Sequence, residues 1–176
     1  LGDKKGIANS LNNIGIIYKE QGDYVKALDH YTRSLKIQEE IGDNSGIAMS
    51  LNNIGIIYNN QVDYAKAIDY FTRGLKIKEE IGDKYGIAGS LNNIGNIYYE
   101  QGDYAKAIDY YTRSLKIKEE IGDKKGIAAS LGNIGLIYSD QGDYAKAIDY
   151  YTRSLKIDEE LGDKKGISLS LISIGL

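Results

Sequence analysis

The chain has 176 residues, 42% of them apolar and 27% charged, a composition that calls for a folded chain rather than a disordered one. Its 22 basic and 25 acidic residues leave a net charge of -3, without the basic surplus that nucleic acid or an anionic membrane would ask for. Cysteine is absent and histidine occurs once, at His30, which excludes disulfides and thiolate metal sites and leaves no ligand set for a metal. No apolar run approaches the ~20 residues of a membrane span. No cofactor, membrane or nucleic-acid partner is expected. The compartment is left open, with the cytoplasm the expectation.

Taken in chain order, the sequence repeats itself. Residues 1–40 recur at 41–80, 81–120 and 121–160, and a fifth copy runs from 161 to 176. The third and fourth copies differ at 7 of 40 positions. One array is therefore expected over 1–176, in which each unit contacts its neighbours.

Each unit reads as two helices, A and B. Asp3 can cap the first turn of helix A, expected over about 4–20, where Ile7, Leu11, Ile14 and Tyr18 recur at helical spacing. Gln21-Gly22-Asp23 breaks the chain, with Gly22 free to adopt positive φ and Asp23 to cap helix B, expected over about 24–40. Tyr24, Ala27, Leu28, Tyr31 and Leu35 form its buried side. Gly15, Gly55, Gly95 and Gly135 stand mid-helix, where glycine costs about 1 kcal/mol, so a tight helix crossing is expected there. The second copy has Val62 where the others carry Gly22, Gly102 and Gly142. Since a β-branched residue resists positive φ, the expectation is that this corner does not use the left-handed region.

Differences between copies concentrate on one side of helix A. Positions 9, 49, 89 and 129 are Asn, Met, Gly and Ala; 12, 52, 92 and 132 are Asn, Asn, Asn and Gly; 16, 56, 96 and 136 are Ile, Ile, Asn and Leu; 19, 59, 99 and 139 are Lys, Asn, Tyr and Ser. At 100° per residue these share a face distinct from the one carrying Leu11, Ile14 and Tyr18. Packing would hold contact positions uniform, so the varied face is expected to line a concave groove. The candidate peptide-binding residues are Asn9, Asn12, Asn13, Ile16 and Lys19 of the first copy, and Met49, Asn52, Asn53, Ile56 and Asn59 of the second. Asn92, Asn93, Asn96 and Tyr99 follow in the third, and Asn133, Leu136 and Ser139 in the fourth. Asn13, Asn53, Asn93 and Asn133 stay open to two readings: a clamp on a peptide backbone, or partners for groups between helices. Asn12, Asn52 and Asn92 are expected in the groove.

Lys5 and Lys125 read as solvated lysines, and Asn44, Lys84, Lys124 and Lys164 as the series meeting the acidic ends of the preceding B helices, in part only because Asn44 is neutral. GDKKG lacks the spacing of a phosphate-binding loop. No Ser, His and Asp constellation is confined to one place, so no enzyme is expected.

The pattern Leu11, Ile14-Gly15, Tyr18, Gly22, Tyr24, Ala27, Tyr31 resembles the tetratricopeptide repeat. Leu11 stands where that family usually has Trp, Ser34 where it has Ala, no Pro closes the unit, and the period is 40 rather than about 34. The longer form with its GD-rich connection resembles the Pins/LGN spindle-orientation adaptors. LNNIG at 11–15, 51–55 and 91–95 is similar to the LNNLA segments of kinesin light chain. The resemblance implies an all-α fold, a right-handed superhelical solenoid of antiparallel helix pairs, and an interaction scaffold binding an extended peptide or partner segment in its concave groove. From the kinesin light chain type it implies that Asn12, Asn13, Asn52, Asn53, Asn92 and Asn93 contact peptide backbone. Gly132-Asn133 leaves the fourth clamp incomplete. The carboxylate clamp of chaperone-binding relatives is not assembled, Lys19 being its nearest candidate. The alternative is a structural spacer that self-associates end to end, suggested by the apolar tail ISLSLISIGL.

Overall fold

The computed structural model describes residues 3–175, so Leu176, the last residue of the apolar tail, lies outside it. The described residues form helices only: α1 (Lys4–Glu20), α2 (Tyr24–Ile41), α3 (Asn44–Asn60), α4 (Tyr64–Glu80), α5 (Lys84–Glu100), α6 (Tyr104–Ile121), α7 (Lys124–Asp140), α8 (Tyr144–Leu161) and α9 (Lys164–Ile174). The fold is all-α, of the helix-pair, tetratricopeptide-like solenoid type. Two compact units divide the chain, residues 1–86 and 87–176, with the division in the first turn of α5.

Capping explains why the helices begin where they do. Asp3, Asp43, Asp123 and Asp163 each accept the amide N–H three residues on, at Gly6, Gly46, Gly126 and Gly166; Asp23, Asp63, Asp103 and Asp143 do the same from a lysine amide. In the second set the lysine's ammonium also pairs with the capping carboxylate, as Lys26 does with Asp23 at 2.8 Å. That hydrogen bond holds the Asp23 carboxyl below the usual carboxylate range.

In the unit 1–86, Ala27, Tyr31 and Leu35 of α2 pack with Leu51, Ile54 and Ile57 of α3. In the unit 87–176, Ala107, Tyr111 and Leu115 of α6 meet Leu131, Ile134 and Ile137 of α7. The mid-helix glycines sit where the helix pair closes. A Cβ on Gly15 would meet the Tyr31 ring at 2.5 Å, and one on Gly95 the Tyr111 ring at 2.8 Å. The crossing is thus made by glycine against an aromatic ring.

Three expectations need correction. Val62 does adopt the left-handed region, with φ 62°, as do Gly22 at 76° and Gly102 at 75°. Its N–H donates to the Asn59 carbonyl at 2.9 Å, the bond that Gly102 makes to Tyr99, and that helix-end bond imposes the conformation whatever residue stands there. Ile7 and Ile14 are not core: they are 50% and 39% exposed, and Ile17 56%, whereas Ile54 is 2% exposed. What buries Ile54 is the preceding B helix, and no described residue precedes α1 in that role. The acidic end of helix B is met by the lysine opening the same copy, Lys4 to Glu40 at 3.0 Å and Lys124 to Glu160 at 2.9 Å. Lys5 and Lys125 are solvated as expected, their side chains 66% and 80% exposed, and pair there with the caps Asp43 at 3.2 Å and Asp163 at 3.5 Å.

Candidate functional site on the A helices

The positions that differ between copies lie on the more open side of the A helices. On α3, Leu51, Ile54 and Ile57 are buried, Met49 is exposed, and Asn52, Asn53, Ile56 and Asn59 are half-buried. On α7, Leu131, Ile134 and Ile137 are buried, while Leu136 is exposed and Asn133 and Ser139 are half-buried. On α1, Asn9, Asn13 and Ile16 are exposed; Lys19 is half-buried and its ammonium sits 2.9 Å from Glu20.

Asn12 is the exception and corrects its assignment to the groove. It is 2% exposed, and its Oδ1 accepts from the Ser50 hydroxyl at 3.2 Å. The position faces the next A helix rather than open space. Asn92 repeats the arrangement, accepting from Asn133 Nδ2 at 3.4 Å across α5 and α7. The one copy that differs at this position carries Gly132, where an added Cβ would meet nothing within 4 Å.

Other candidates in the unit 87–176 are also engaged. Asn96 Oδ1 accepts from the Tyr111 hydroxyl at 2.7 Å. Tyr99 donates to Asp140 at 2.8 Å and packs against Tyr104, with ring centroids 5.9 Å apart. The bond to Asp140 and burial push the Tyr99 hydroxyl up to about 12. In the unit 1–86 the position of Asn96 is Ile16 or Ile56, and the ring below it is Tyr31 or Phe71. The Tyr31 hydroxyl is buried without a hydrogen-bond partner. The choice between Asn and Ile thus decides whether the tyrosine beneath is satisfied.

A residue that sequence reading missed is Asp158. It belongs to the series Gln38, Lys78, Lys118, Asp158, all buried near the end of helix B. Gln38 lies 2.7 Å from the Ser50 hydroxyl, and Lys118 Nζ donates to the Ser130 hydroxyl at 2.8 Å. Burial pushes the ammoniums of Lys78 and Lys118 down and the Asp158 carboxyl up. One sequence signal existed: of the seven differences between the third and fourth copies, only Lys118 against Asp158 falls on helix B.

The Asp158 side chain borders a pocket of about 540 Å³ among α7, α8 and α9. Leu136, Asn133 and Gly132 of α7 and Leu169 of α9 line it. It therefore joins two of the sequence candidates, Asn133 and Leu136, to a carboxylate that was not among them. No group of three or more His, Cys, Asp or Glu able to hold a metal occurs among the described residues, and none of their helices is long and apolar enough to cross a membrane.

The family model of the tetratricopeptide repeat matches residues 6–80 and 86–160. The chain belongs to the tetratricopeptide repeat family, and it is a protein–protein interaction module of that type. No curated protein matches it. Among solved structures, BtubC (BKLC) from P. vanneervenii is similar at 23% identity, TM-score 0.83, over 92% of this chain and 67% of that one. Aspartyl phosphate phosphatase F from Bacillus subtilis matches at 19% identity, TM-score 0.92, over 99% of this chain and 47% of that one. A Rap protein complexed with competence and sporulation factor matches at 20% identity, TM-score 0.86, over 97% and 48%. The chain spans about half the length of the last two.

Proposed function

We propose that this chain binds an extended peptide or partner segment along the face formed by its A helices, in the manner of the Pins/LGN or kinesin light chain repeats. The observation that carries this reading is the division of each A helix. On α3 and α7 the constant Leu51, Ile54, Ile57, Leu131, Ile134 and Ile137 are packed, while Met49, Ile56, Leu136 and Ser139 at varied positions, and Asn53 and Asn93 at a constant one, stay at least half-open with apolar and amide groups side by side. Amides can hold a peptide backbone, and the varied neighbours can select its side chains. Pre-formed helices lower the ordering cost on the receptor, though the ligand must still order, so micromolar affinity, about -8 kcal/mol, is expected. The solved Rap protein in complex with a factor lends support. The test is selection of decapeptides from a displayed library, followed by titration of the selected peptides against Asn53→Ala, Asn93→Ala and Leu136→Ala. Loss of about tenfold in at least two variants is expected. Binding indifferent to all three refutes the site.

A second reading has its own observation. Ile7, Ile14 and Ile17 form an exposed apolar stripe on α1. End-to-end self-association through this face predicts a concentration-dependent mass in light scattering that the triple substitution of these residues by Gln abolishes. A chain monomeric at all concentrations removes this reading.

A further inference from the structure

The end of helix B buries a polar side chain in every copy: Gln38 in the first, a lysine in the second and third, and Asp158 in the fourth. In the third copy the Lys118 stem runs past Gly126, where a Cβ would meet its Cδ at 2.9 Å, and its ammonium ends on Ser130. The cap of the following helix, Asp123, acts on that ammonium as a neighbouring negative charge. Lys78 stands in the same relation to Asp83. In the fourth copy the side chain is shorter and its sign is reversed. Asp158 stops beside Gly166, where a Cβ would meet its Cγ at 2.5 Å. It is 5% exposed, and the nearby cap is again an aspartate, Asp163.

The pocket opens over this carboxylate. Three differences from the third copy bear on it: Asp158 for Lys118, Gly132 for Asn92, and Leu136 for Asn96. A Cβ on Gly132 would meet nothing within 4 Å, so the α7 wall is open at that point. The walls are apolar at Ala129, Leu136 and Leu169, and the carboxylate lies at the inner end. Among the other charged groups, Lys125 is held by Asp163 at 3.5 Å and Lys165 stands exposed on the first turn of α9. Ser154 and Ser170 hydrogen-bond the Asp158 carboxyl. The Asp158 carboxyl is thus the charged group at the buried end, while both lysines of the lining are exposed.

We infer that the pocket among α7, α8 and α9 receives the side chain of a lysine or arginine from a bound peptide segment, its aliphatic stem between Leu136 and Leu169 and its cationic head on Asp158. The head takes the role that the chain's own lysine plays in the second and third copies, a cation set against the cap of the next helix. An apolar stem with a charged tip matches apolar walls ending in a carboxylate. The inference rests on the peptide-binding reading only in that a segment delivers the side chain.

The test uses the whole chain and a probe without a segment. Nα-acetyl-lysine methylamide is titrated while the amide resonances of Gly132, Gly166 and Ser170 are followed by NMR, with Nα-acetyl-norleucine methylamide as the uncharged control. Saturable shifts with the lysine probe alone are expected, weakened about tenfold or more in Asp158→Asn and lost in Asp158→Lys, which restores the arrangement of the third copy. Gly132→Asn, which adds the third copy's side chain at an open position, is expected to weaken binding without unfolding the helices. Asn53→Ala, in the other unit, is expected to leave the lysine probe unaffected, so the pocket and the A-helix face can fail separately. Absence of a saturable shift, equal response to norleucine, or unaltered binding in Asp158→Asn overturns the inference.

Discussion

Replacing Val62 by glycine is expected to stabilise the protein, although the substitution adds no contact. Val62 holds φ at 62°, where an L-residue pays roughly 1–2 kcal/mol and a β-branched one stands at the upper end. Glycine escapes that cost but gives the unfolded chain more freedom, about 0.5–1 kcal/mol against it. Val62 is 65% exposed, so little packing is lost. The net gain is about 1 kcal/mol, or about 2–4 °C in Tm for a chain of this length. Because arrays of repeats can unfold in parts, a local assay is the sharper one. Hydrogen exchange at Val62 and Asp63, whose N–H groups donate to Asn59 and Tyr58, is expected to slow about fivefold in Val62→Gly. The mirror substitution Gly102→Val is expected to cost a similar amount in the other unit. If Val62→Gly leaves exchange and Tm unchanged or lowers stability, strain at this corner is refuted.

Three further outcomes follow from the copies. Ser34, Ser114 and Ser154 donate to the carbonyls of Ala8, Ala88 and Ala128 at 2.8–2.9 Å, whereas Gly74 stands at the matching place, where a Cβ would lie 3.4 Å from the Ala48 carbonyl. Gly74→Ser is expected to stabilise by about 1 kcal/mol in urea unfolding, through the added hydrogen bond and the lost glycine penalty. Tyr31→Phe and Tyr111→Phe are expected to differ in sign: the first removes a buried hydroxyl without a partner and is neutral or stabilising, the second orphans Asn96 and costs about 1–2 kcal/mol. Acid separates two kinds of carboxylate. Asp23, Asp63, Asp103 and Asp143 are held low by their lysines, so their contribution is present above the unfolded value of about 4 and is lost as pH falls through the lower folded value. Asp158 is raised by burial, so its penalty is absent below the unfolded value and grows as pH rises through the folded one. The stability of Asp158→Asn relative to the parent is therefore expected to be greatest near neutrality and to shrink toward pH 3; a difference that widens in acid contradicts this assignment.

The helices were legible because caps, apolar spacing and breakers agree in every copy. Helix A was expected at about 4–20 and lies at Lys4–Glu20; helix B was expected at about 24–40 and lies at Tyr24–Ile41. Ile7 and Ile14 were misread because an identical sequence has a different environment in the first copy: Ile54 is covered by α2, which has no counterpart before α1 among the described residues. Asn12 was misread because variation between copies marks freedom from uniform packing but does not distinguish a groove from a contact between A helices. The Lys78 and Lys118 positions were hidden by their charge, since lysine is rarely buried without a nearby acceptor, here the Ser130 hydroxyl for Lys118. The Asp caps alone do not say that Tyr99 reaches Asp140 on the next A helix, because that pairing depends on the spacing of helices 41 residues apart in sequence.

The second copy gathers three departures in one stretch of chain. Asn44 and Ser45 stand where the first and fourth copies have the lysines that clasp Glu40, Asp43, Glu160 and Asp163, Val62 bends its corner, and Gly74 lacks the serine hydroxyl. Each exposed clasp is worth well under about 1 kcal/mol, but all three deficits fall on the same forty residues. Pulled by its ends or offered to a protease, the chain should part first at α3 and α4, so this copy sets how long the module survives mechanical load.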